Sequence, residues 1–362
     1  MTGSEKRHDN GRRATLFFSQ REPSCYCPAT VRRAMSPKPV ILSWDNWTAP
    51  QRTPWGGRAI AALKSELAID PTQRAWAAIG ESWELSVDPT LPSHVMRDGV
   101  PCETVAALLA GDPTTWLGRA AAARGETSTE LMVKLIDAVE PLSVQVHPAD
   151  DDPALGPDES GKPECWVVLA AAPGAGIWLG FAAGVTPRDV EAALDRGADL
   201  TPLLRFVPVA PGKSFGIAPG TVHAIGPGVT LLEAQRVRPG KSGVTYRFWD
   251  WGRGRELHRA RALAVADFGP ARLPAGDSHH ITFSGMAIDR IYAAQPMTRT
   301  VPTDDHLMAL VAMGPLVAQG VPVLRGQTAL IPAACEAVEL EVPAGTTAWL
   351  VSAAPLAQPS GT

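Results

Sequence analysis

The pattern of apolar and polar positions separates a short segment without periodicity from a long segment that can fold. Residues 1–34 are rich in Arg, Lys, Ser and Asn and show almost no periodic apolar positions. Such a composition cannot bury enough surface to order itself. We therefore predict a disordered N-terminal extension over 1–34, or upstream sequence ahead of a natural start at Met35.

From Met35 onward, strand-like patterns outnumber helical ones. Helical periodicity covers 57–66, 103–120, 187–196 and 258–268, and Thr186 with Pro187 provides an N-terminal cap for the third of these. Alternating or continuous apolar runs predict strands. These runs cover 131–138, 143–146, 165–170, 177–181, 206–209, 230–235 and 245–249.

The last part of the chain has a repeating pattern of short predicted strands and turns. Between about 281 and 355, apolar stretches recur roughly every 8 to 15 residues with Gly and Pro between them. This pattern is typical of a sandwich or jelly roll. We predict an all-β fold with minor helices, made of two β jelly-roll domains. The first would cover 35–270 with short helical segments, and the second would cover 271–362, which lacks paired metal-type residues.

Composition removes several classes of protein. The net charge of -4 gives no broad basic surface, so nucleic-acid binding is not expected. No apolar run reaches the roughly 18–20 residues that a membrane span needs. The five cysteines are scattered and no export signal precedes them, which favours a reducing, cytoplasmic setting.

The stretch Pro-Leu-Ser-Val-Gln-Val-His-Pro at 141–148 carries the first chemistry. Gln145 and His147 are two residues apart, so on a strand both side chains leave the same face. A face that carries an amide oxygen and an imidazole serves either to hold a metal ion or to satisfy a buried polar network.

Two further residues extend this set. Glu164 begins the apolar run Cys-Trp-Val-Val-Leu, where a carboxylate is costly unless it is paired or coordinated. His223 follows a Pro-Gly turn and leads into an apolar segment. Jelly-roll barrels of the cupin type carry a metal on such a combination, so we predict a mixed nitrogen and oxygen ligand set of Gln145, His147, Glu164 and His223.

Cations suited to an anionic substrate lie near these positions. Lys162 precedes Glu164 by two residues, and Arg247 has the planar fork that binds two phosphate oxygens at once. An ion pair with Asp250 is the simpler explanation for Arg247. Glu233, on a strand flanked by apolar residues, is either a general base or a partner for Lys162.

Together these segments resemble the type I mannose-6-phosphate isomerases, zinc-dependent enzymes of the cupin kind. The matching segments follow the family order between roughly residues 40 and 355. They are 54–58, 80–86, 133–138, 142–148, 161–164, 220–226, 232–235, 245–253 and 255–258.

The resemblance implies a reversible interconversion of mannose 6-phosphate and fructose 6-phosphate through an enediol. It also implies one Zn²⁺ per subunit, held by the four ligands named above in a catalytic metal-binding cupin domain, with a non-catalytic cupin-like domain after it. Arg247 matches the active-site arginine of the family, and Lys162 and Glu233 fall at positions that line the same pocket. Either of the latter two is a candidate for the general base.

One departure keeps alternatives open. Residues 236–243 form a Gly- and Pro-containing link that is longer than usual for the family and lies between Glu233 and Arg247. A reshaped substrate mouth would suit a metal-dependent cupin isomerase for a different sugar or phosphosugar. A sugar-binding or regulatory cupin without catalysis is the alternative from another class. The expected partner is a small phosphosugar, and a monomer is the working expectation.

Overall fold

The computed structural model of the chain describes Met1 and residues 37–67, 78–270 and 279–353. Apart from Met1, the predicted extension 1–34 lies outside these residues. The segment 271–278, where the second predicted domain begins, also lies outside them, so the two predicted domain limits remain predictions. No helix in the described part of the chain is long and apolar enough to cross a membrane.

Strands form most of the regular structure, as predicted. In the first two thirds of the chain they are β1 Val40–Ile41, β2 Glu81–Leu85, β3 His94–Arg97, β4 Val100–Thr104, β5 Leu131–Ala138, β6 Val144–Val146, β7 Glu159–Ser160, β8 Glu164–Ala171, β9 Gly176–Phe181, β10 Leu204–Pro208, β11 Ser214–Ile217, β12 His223–Ile225, β13 Val229–Arg236, β14 Ser242–Gly243 and β15 Tyr246–Trp249. The last third contains β16 His280–Phe283, β17 Met286–Tyr292, β18 Met297–Pro302, β19 Met308–Ala312, β20 Leu316–Ala318, β21 Val321–Val323, β22 Thr328–Ile331, β23 Ala337–Val342 and β24 Thr347–Ala353. Each strand predicted from the sequence is present to within about two residues at either end.

The helices are short. They are α1 Ala59–Leu63, α2 Val105–Gly111, α3 Pro113–Leu117, α4 Arg119–Ala123, α5 Pro187–Asp195 and α6 Arg259–Val265. The helical pattern over 103–120 is divided because Pro113 starts a new helix and Gly118, at φ 96°, ends it. The predicted cap on α5 is confirmed, since Thr186 and Asp189 form a reciprocal capping box.

Two sheets of the described chain enclose the first barrel. One has the strand order β10-β9-β12-β6-β15 and the other the order β11-β8-β13-β5-β2. Alternate residues of each strand point inward, so Ile136, Trp166, Ile177, Ile225 and Leu231 of the two sheets share one apolar core. The outer face of the first sheet is covered by α5 and α6.

A second sandwich follows in the last third of the chain. The sheet β1-β22-β19-β24-β17-β16 packs on the sheet β18-β23-β20-β21 around a separate apolar core. The all-β class with two sandwiches is therefore confirmed. Strand β1, which lies near the start of the first predicted domain, pairs with β22 of this second sandwich through Val40 and Leu330.

The two sandwiches share a third apolar cluster. The outer face of the sheet that contains β5, β8 and β13 packs against β16, β17 and β19, for example through Val133, Cys165, Ile288 and Val311. The sheet that carries Glu164 on its inner face is thus buried on both faces. Burial on both faces keeps this sheet rigid beneath the polar residues of the barrel interior.

Candidate metal centre

Strand alternation places the predicted ligands inside the first barrel. Gln145 lies on β6 and is the register partner of both His223 on β12 and Arg247 on β15. His147 follows β6, two residues after Gln145. Glu164 begins β8 in the opposite sheet, so the side chains approach each other across the barrel.

The two histidine rings are oriented by backbone carbonyl groups. The Nδ1 atom of His147 lies 2.9 Å from the oxygen of Val244, and that of His223 lies 2.9 Å from the oxygen of Thr221. A carbonyl only accepts, so each Nδ1 carries the proton and each Nε2 presents a lone pair to the barrel interior. Burial lowers the pKa of His223, and it lowers the pKa of His147 to about 3, so both rings are neutral.

Glu164 lies between these two lone pairs. Its Oε1 is 3.1 Å from His147 Nε2, and its Oε2 is 3.7 Å from His223 Nε2. Neither Nε2 atom can donate, so these are contacts between acceptors, and within the described part of the chain no donor reaches His147 Nε2. A cation placed among them would remove the repulsion.

The spacing of these atoms fits a metal ion. The candidate ligand atoms of His147, Glu164 and His223 all lie within 4.8 Å of one another. A tetrahedron with metal–ligand bonds of about 2.1 Å has edges of about 3.4 Å, close to the two measured contacts. Each of the three residues is 1% exposed, which removes competing water. In geometry and in donor type, these three residues could therefore hold a metal ion.

Gln145 completes the predicted set. Its Nε2 lies 3.2 Å from His223 Nε2, and its Oε1 accepts from the hydroxyl of Ser143 at 3.1 Å. The oxygen and nitrogen of an amide exchange places when it rotates by 180°. The hydroxyl of Ser143 can accept as well as donate, so the rotated amide keeps a partner while its oxygen faces the histidine lone pairs.

Lys162 neutralises the site from the pocket side. Its Nζ is 3.1 Å from Glu164 Oε1. Burial by itself would raise the pKa of Glu164, but the ammonium of Lys162 and the rings of His147 and His223 together outweigh it and hold that pKa well below its usual range. The carboxylate is therefore ionised and ready to bind a cation.

Glu233 lies next to this cluster in the same sheet. Burial, followed by the nearby charge of Glu164, raises the pKa of Glu233 to about 8. Its ion-pair partner is Lys134, with Nζ 3.9 Å from Oε2, whereas Lys162 pairs with Glu164. Glu233 and Lys162 nevertheless line the same cavity.

Arg247 is not bound to Asp250. That carboxylate accepts from Arg253 and Arg255 instead, at 3.4 Å and 2.6 Å. The Nε of Arg247 is buried and has no hydrogen-bond partner among the described residues, and the side chain lines the cavity. The structure thus directs the guanidinium of Arg247 toward the cavity rather than into the ion pair with Asp250 that was the simpler explanation.

These side chains surround one cavity of about 370 Å³. It also includes residues that sequence reasoning left without a role. They are Arg52, Glu81, Trp83, Lys134, Trp166, Gln235, Ser242 and Arg255. The sequence could have indicated that Lys134 has a functional role, since it is a lysine in the middle of an apolar strand. Trp166 could not be distinguished from an ordinary core residue.

Fold and site together define a protein of two cupin-type sandwiches with a candidate metal centre in the first. No family model matches the chain. The mannose-6-phosphate isomerase ManA of Bacillus subtilis (strain 168) is 38% identical over 144 residues, which are 38% of this chain and 44% of that relative. The chain spans less than two thirds of the length of this relative and of three further curated relatives; two of the four are named mannose-6-phosphate isomerase outright, and the names of the other two are qualified as probable or putative.

Solved structures extend the similarity over most of the chain. A candidate mannosephosphate isomerase of Archaeoglobus fulgidus is 25% identical, with a TM-score of 0.72, and the match covers 88% of this chain and 99% of that one. A mannose 6-phosphate isomerase bound with zinc and yttrium has the same fold, with 17% identity, a TM-score of 0.63 and coverage of 89% and 100%. The resemblance to the type I mannose-6-phosphate isomerases that the sequence predicts is confirmed.

Proposed function

We propose that this protein is a zinc-dependent aldose–ketose isomerase that interconverts mannose 6-phosphate and fructose 6-phosphate. The observation that carries the proposal is the buried group of His147, Glu164 and His223, which opens onto a cavity lined by Lys162 and Arg247. The names of the relatives supply the reaction, and the zinc-bound structural neighbour is the reason for naming zinc.

Gln145 would be the fourth ligand of one zinc ion per subunit. When bound, the ion supplies Lewis-acid polarisation of a substrate oxygen. The guanidinium of Arg247 would bind the anionic substrate or stabilise the negative charge that develops on the enediol. These roles explain why the arginine lies in the cavity without a carboxylate partner.

The reaction moves one proton between C1 and C2 of the sugar. A base must remove the proton from C2 of mannose 6-phosphate and return it to C1, while a hydroxyl proton passes from O2 to O1, to give fructose 6-phosphate. Glu233 and Lys162 line the cavity and are the two candidates. The pKa of Glu233 near 8 suits a group that both accepts and releases a proton near neutral pH.

We also propose a cytoplasmic location. The three described cysteines, Cys102, Cys165 and Cys335, carry no disulfide. Free thiols, one of them exposed, are compatible with a reducing compartment. Monomeric assembly remains a prediction.

The test is turnover of mannose 6-phosphate by the purified full chain, before and after chelation and after zinc is added back. We expect activity to disappear with the chelator and to return with zinc. Arg247→Lys should lower kcat/KM by about tenfold to a thousandfold, because a lysine cannot reproduce the bidentate fork. A zinc-loaded protein that does not convert mannose 6-phosphate would refute the proposed substrate. Turnover of another phosphosugar would then indicate that the 236–243 link, which lines the cavity through Ser242, changes the substrate.

A further inference from the structure

Strands β8 and β13 present four polar side chains to the barrel interior, arranged as a square in which two carboxylic acids alternate with two hydrogen-bond donors. In the antiparallel register, Glu164 lies opposite Gln235, and Trp166 lies opposite Glu233. Residues two apart on a strand share a face, so all four side chains point the same way. Each carboxylate therefore has a donor next to it along its own strand and another donor across the ladder.

All four contacts of this square are hydrogen bonds. The indole Nε1 of Trp166 donates to Glu164 Oε2 at 3.1 Å and to Glu233 Oε1 at 2.9 Å. The amide Nε2 of Gln235 donates to Glu164 Oε1 at 2.8 Å and to Glu233 Oε2 at 2.7 Å. Trp166 and Gln235, at opposite corners of the square, thus each bridge the same two carboxylates.

The chemistry of the donors permits only one arrangement. An indole N–H cannot accept, and the Gln235 amide cannot rotate without placing its oxygen against the ionised carboxylate of Glu164. The four side chains are between 1% and 3% exposed, so water does not replace a lost donor. Because the two carboxylates share both donors, neither can turn away without breaking bonds that also hold the other.

We infer that Trp166 and Gln235 are positioning residues that hold Glu164 toward the metal and Glu233 beside it as one unit. This inference rests on the proposed metal function of the cavity and deepens it. The zinc ligand and the candidate base would then keep a constant separation during turnover. Removing either donor would disturb both carboxylates, although neither donor would touch the metal.

Two substitutions remove the donors with little change of shape. Trp166→Phe keeps an aromatic ring and deletes the shared N–H, while Gln235→Leu deletes both amide N–H groups at similar volume. Trp349→Phe is the matched control, because Trp349 is a buried tryptophan of the second sandwich whose Nε1 makes no hydrogen bond to any residue that the structure describes. The control therefore reports the cost of replacing a tryptophan ring, including its contact with Arg290, without the loss of a hydrogen bond.

The measurement is zinc affinity of the full chain by competition with a chromophoric chelator, together with the visible spectrum of the Co²⁺-substituted protein. Trp166→Phe and Gln235→Leu should each weaken zinc binding by about tenfold or more and shift the Co²⁺ spectrum. They should also lower kcat more than they raise KM. Trp349→Phe should leave affinity and spectrum unchanged.

Wild-type affinity and spectrum in the folded donor variants would overturn the inference, and so would a wild-type protein that binds no zinc. If Gln235→Leu does not fold, Trp166→Phe decides the question alone. A different result would refute the proposed function without refuting this inference. A wild-type protein that binds zinc but does not isomerise mannose 6-phosphate would refute the reaction, whereas the affinity and spectrum would still report on the two donors.

Discussion

Burial determines what each polar side chain of the cavity can do. The imidazoles of His147 and His223 would gain a proton near neutral pH in water, but burial lowers their pKa values and leaves them neutral. Their backbone partners then direct both lone pairs inward. The same burial acts in the opposite direction on Glu233, whose pKa rises to about 8.

The pKa of Glu233 predicts how pH affects the stability of the metal-free protein. The folded state keeps the proton on Glu233 up to about pH 8, while the unfolded state releases it near 4.5. Between these values the folded state binds more protons, so the contribution of Glu233 to stability falls as pH rises. We expect metal-free wild type to lose at least about 1 kcal/mol relative to Glu233→Gln between about pH 5 and about pH 8.

Urea unfolding of both chelated proteins at the two pH values measures this difference. Glu233→Gln changes the free energy of unfolding by an amount that does not depend on pH, because the new amide NH₂ faces the N–H of Trp166 or of Gln235. Only the change with pH therefore counts. Parallel pH profiles for the two proteins would show that Glu233 titrates in the folded state as it does in the unfolded chain.

At the scale of elements, the segment that delivers Lys162 and Glu164 to the cavity is held by the strands and loops around it. Asp150 accepts from the backbone N–H of Gly161 and from Arg236. The long link predicted at 236–243 ends in strand β14, which pairs in parallel with β7. The link therefore packs beside Lys162 and forms one wall of the cavity.

Gly161 is required by a close approach of two backbone segments. A Cβ at this position would lie 2.6 Å from Asp150 N and 2.8 Å from Pro148 O. Gly161→Ala should destabilise the protein by about 1–3 kcal/mol and lower turnover by displacing Lys162. Gly111→Ala, in a helix position with nothing within 4 Å, is the control and should be neutral or slightly stabilising. Equal unfolding midpoints for the two variants in urea would contradict this prediction.

At the scale of the whole molecule, a buried ion pair beside the first sandwich is hydrogen-bonded to the second sandwich, in addition to the apolar packing between them. Lys64 and Glu84 lie 2.7 Å apart and are each 2% exposed. Glu84 also accepts from Ser82 and, across the boundary, from Thr328 of β22 at 2.7 Å. A buried pair of this kind depends on every one of its partners.

Loss of one neutral partner should therefore weaken the whole protein. Thr328→Val removes the hydroxyl that donates to Glu84 at nearly constant volume, so we expect a loss of about 1.5–3 kcal/mol. Thr298→Val, at an exposed position of β18, should change stability by no more than about 0.5 kcal/mol. Chemical denaturation measures both, and a Thr328 variant as stable as the Thr298 variant would show that the ion pair does not need the hydroxyl.

Much of this organisation was readable from local patterns. The apolar runs at 131–138, 165–170 and 230–235 placed these strands, and a spacing of two residues put Gln145 and His147 on one face. The candidate set with Glu164 and His223 followed from residue type and from the resemblance. Short strands such as β11, with Gly216 within it, and β12, of only three residues, lacked a pattern strong enough to predict.

The sequence by itself determined the fold class, the main strands and the side chains able to bind a metal, because these depend on residue type and on periods of two or a few residues. The tertiary structure decided which of them meet. The pairing of Trp166 and Gln235 with two carboxylates depends on the register of β8 against β13, and the contact of Glu84 with Thr328 joins positions 244 residues apart. Register and long-range contacts follow from burial and hydrogen bonding across the whole molecule, and no local period encodes them.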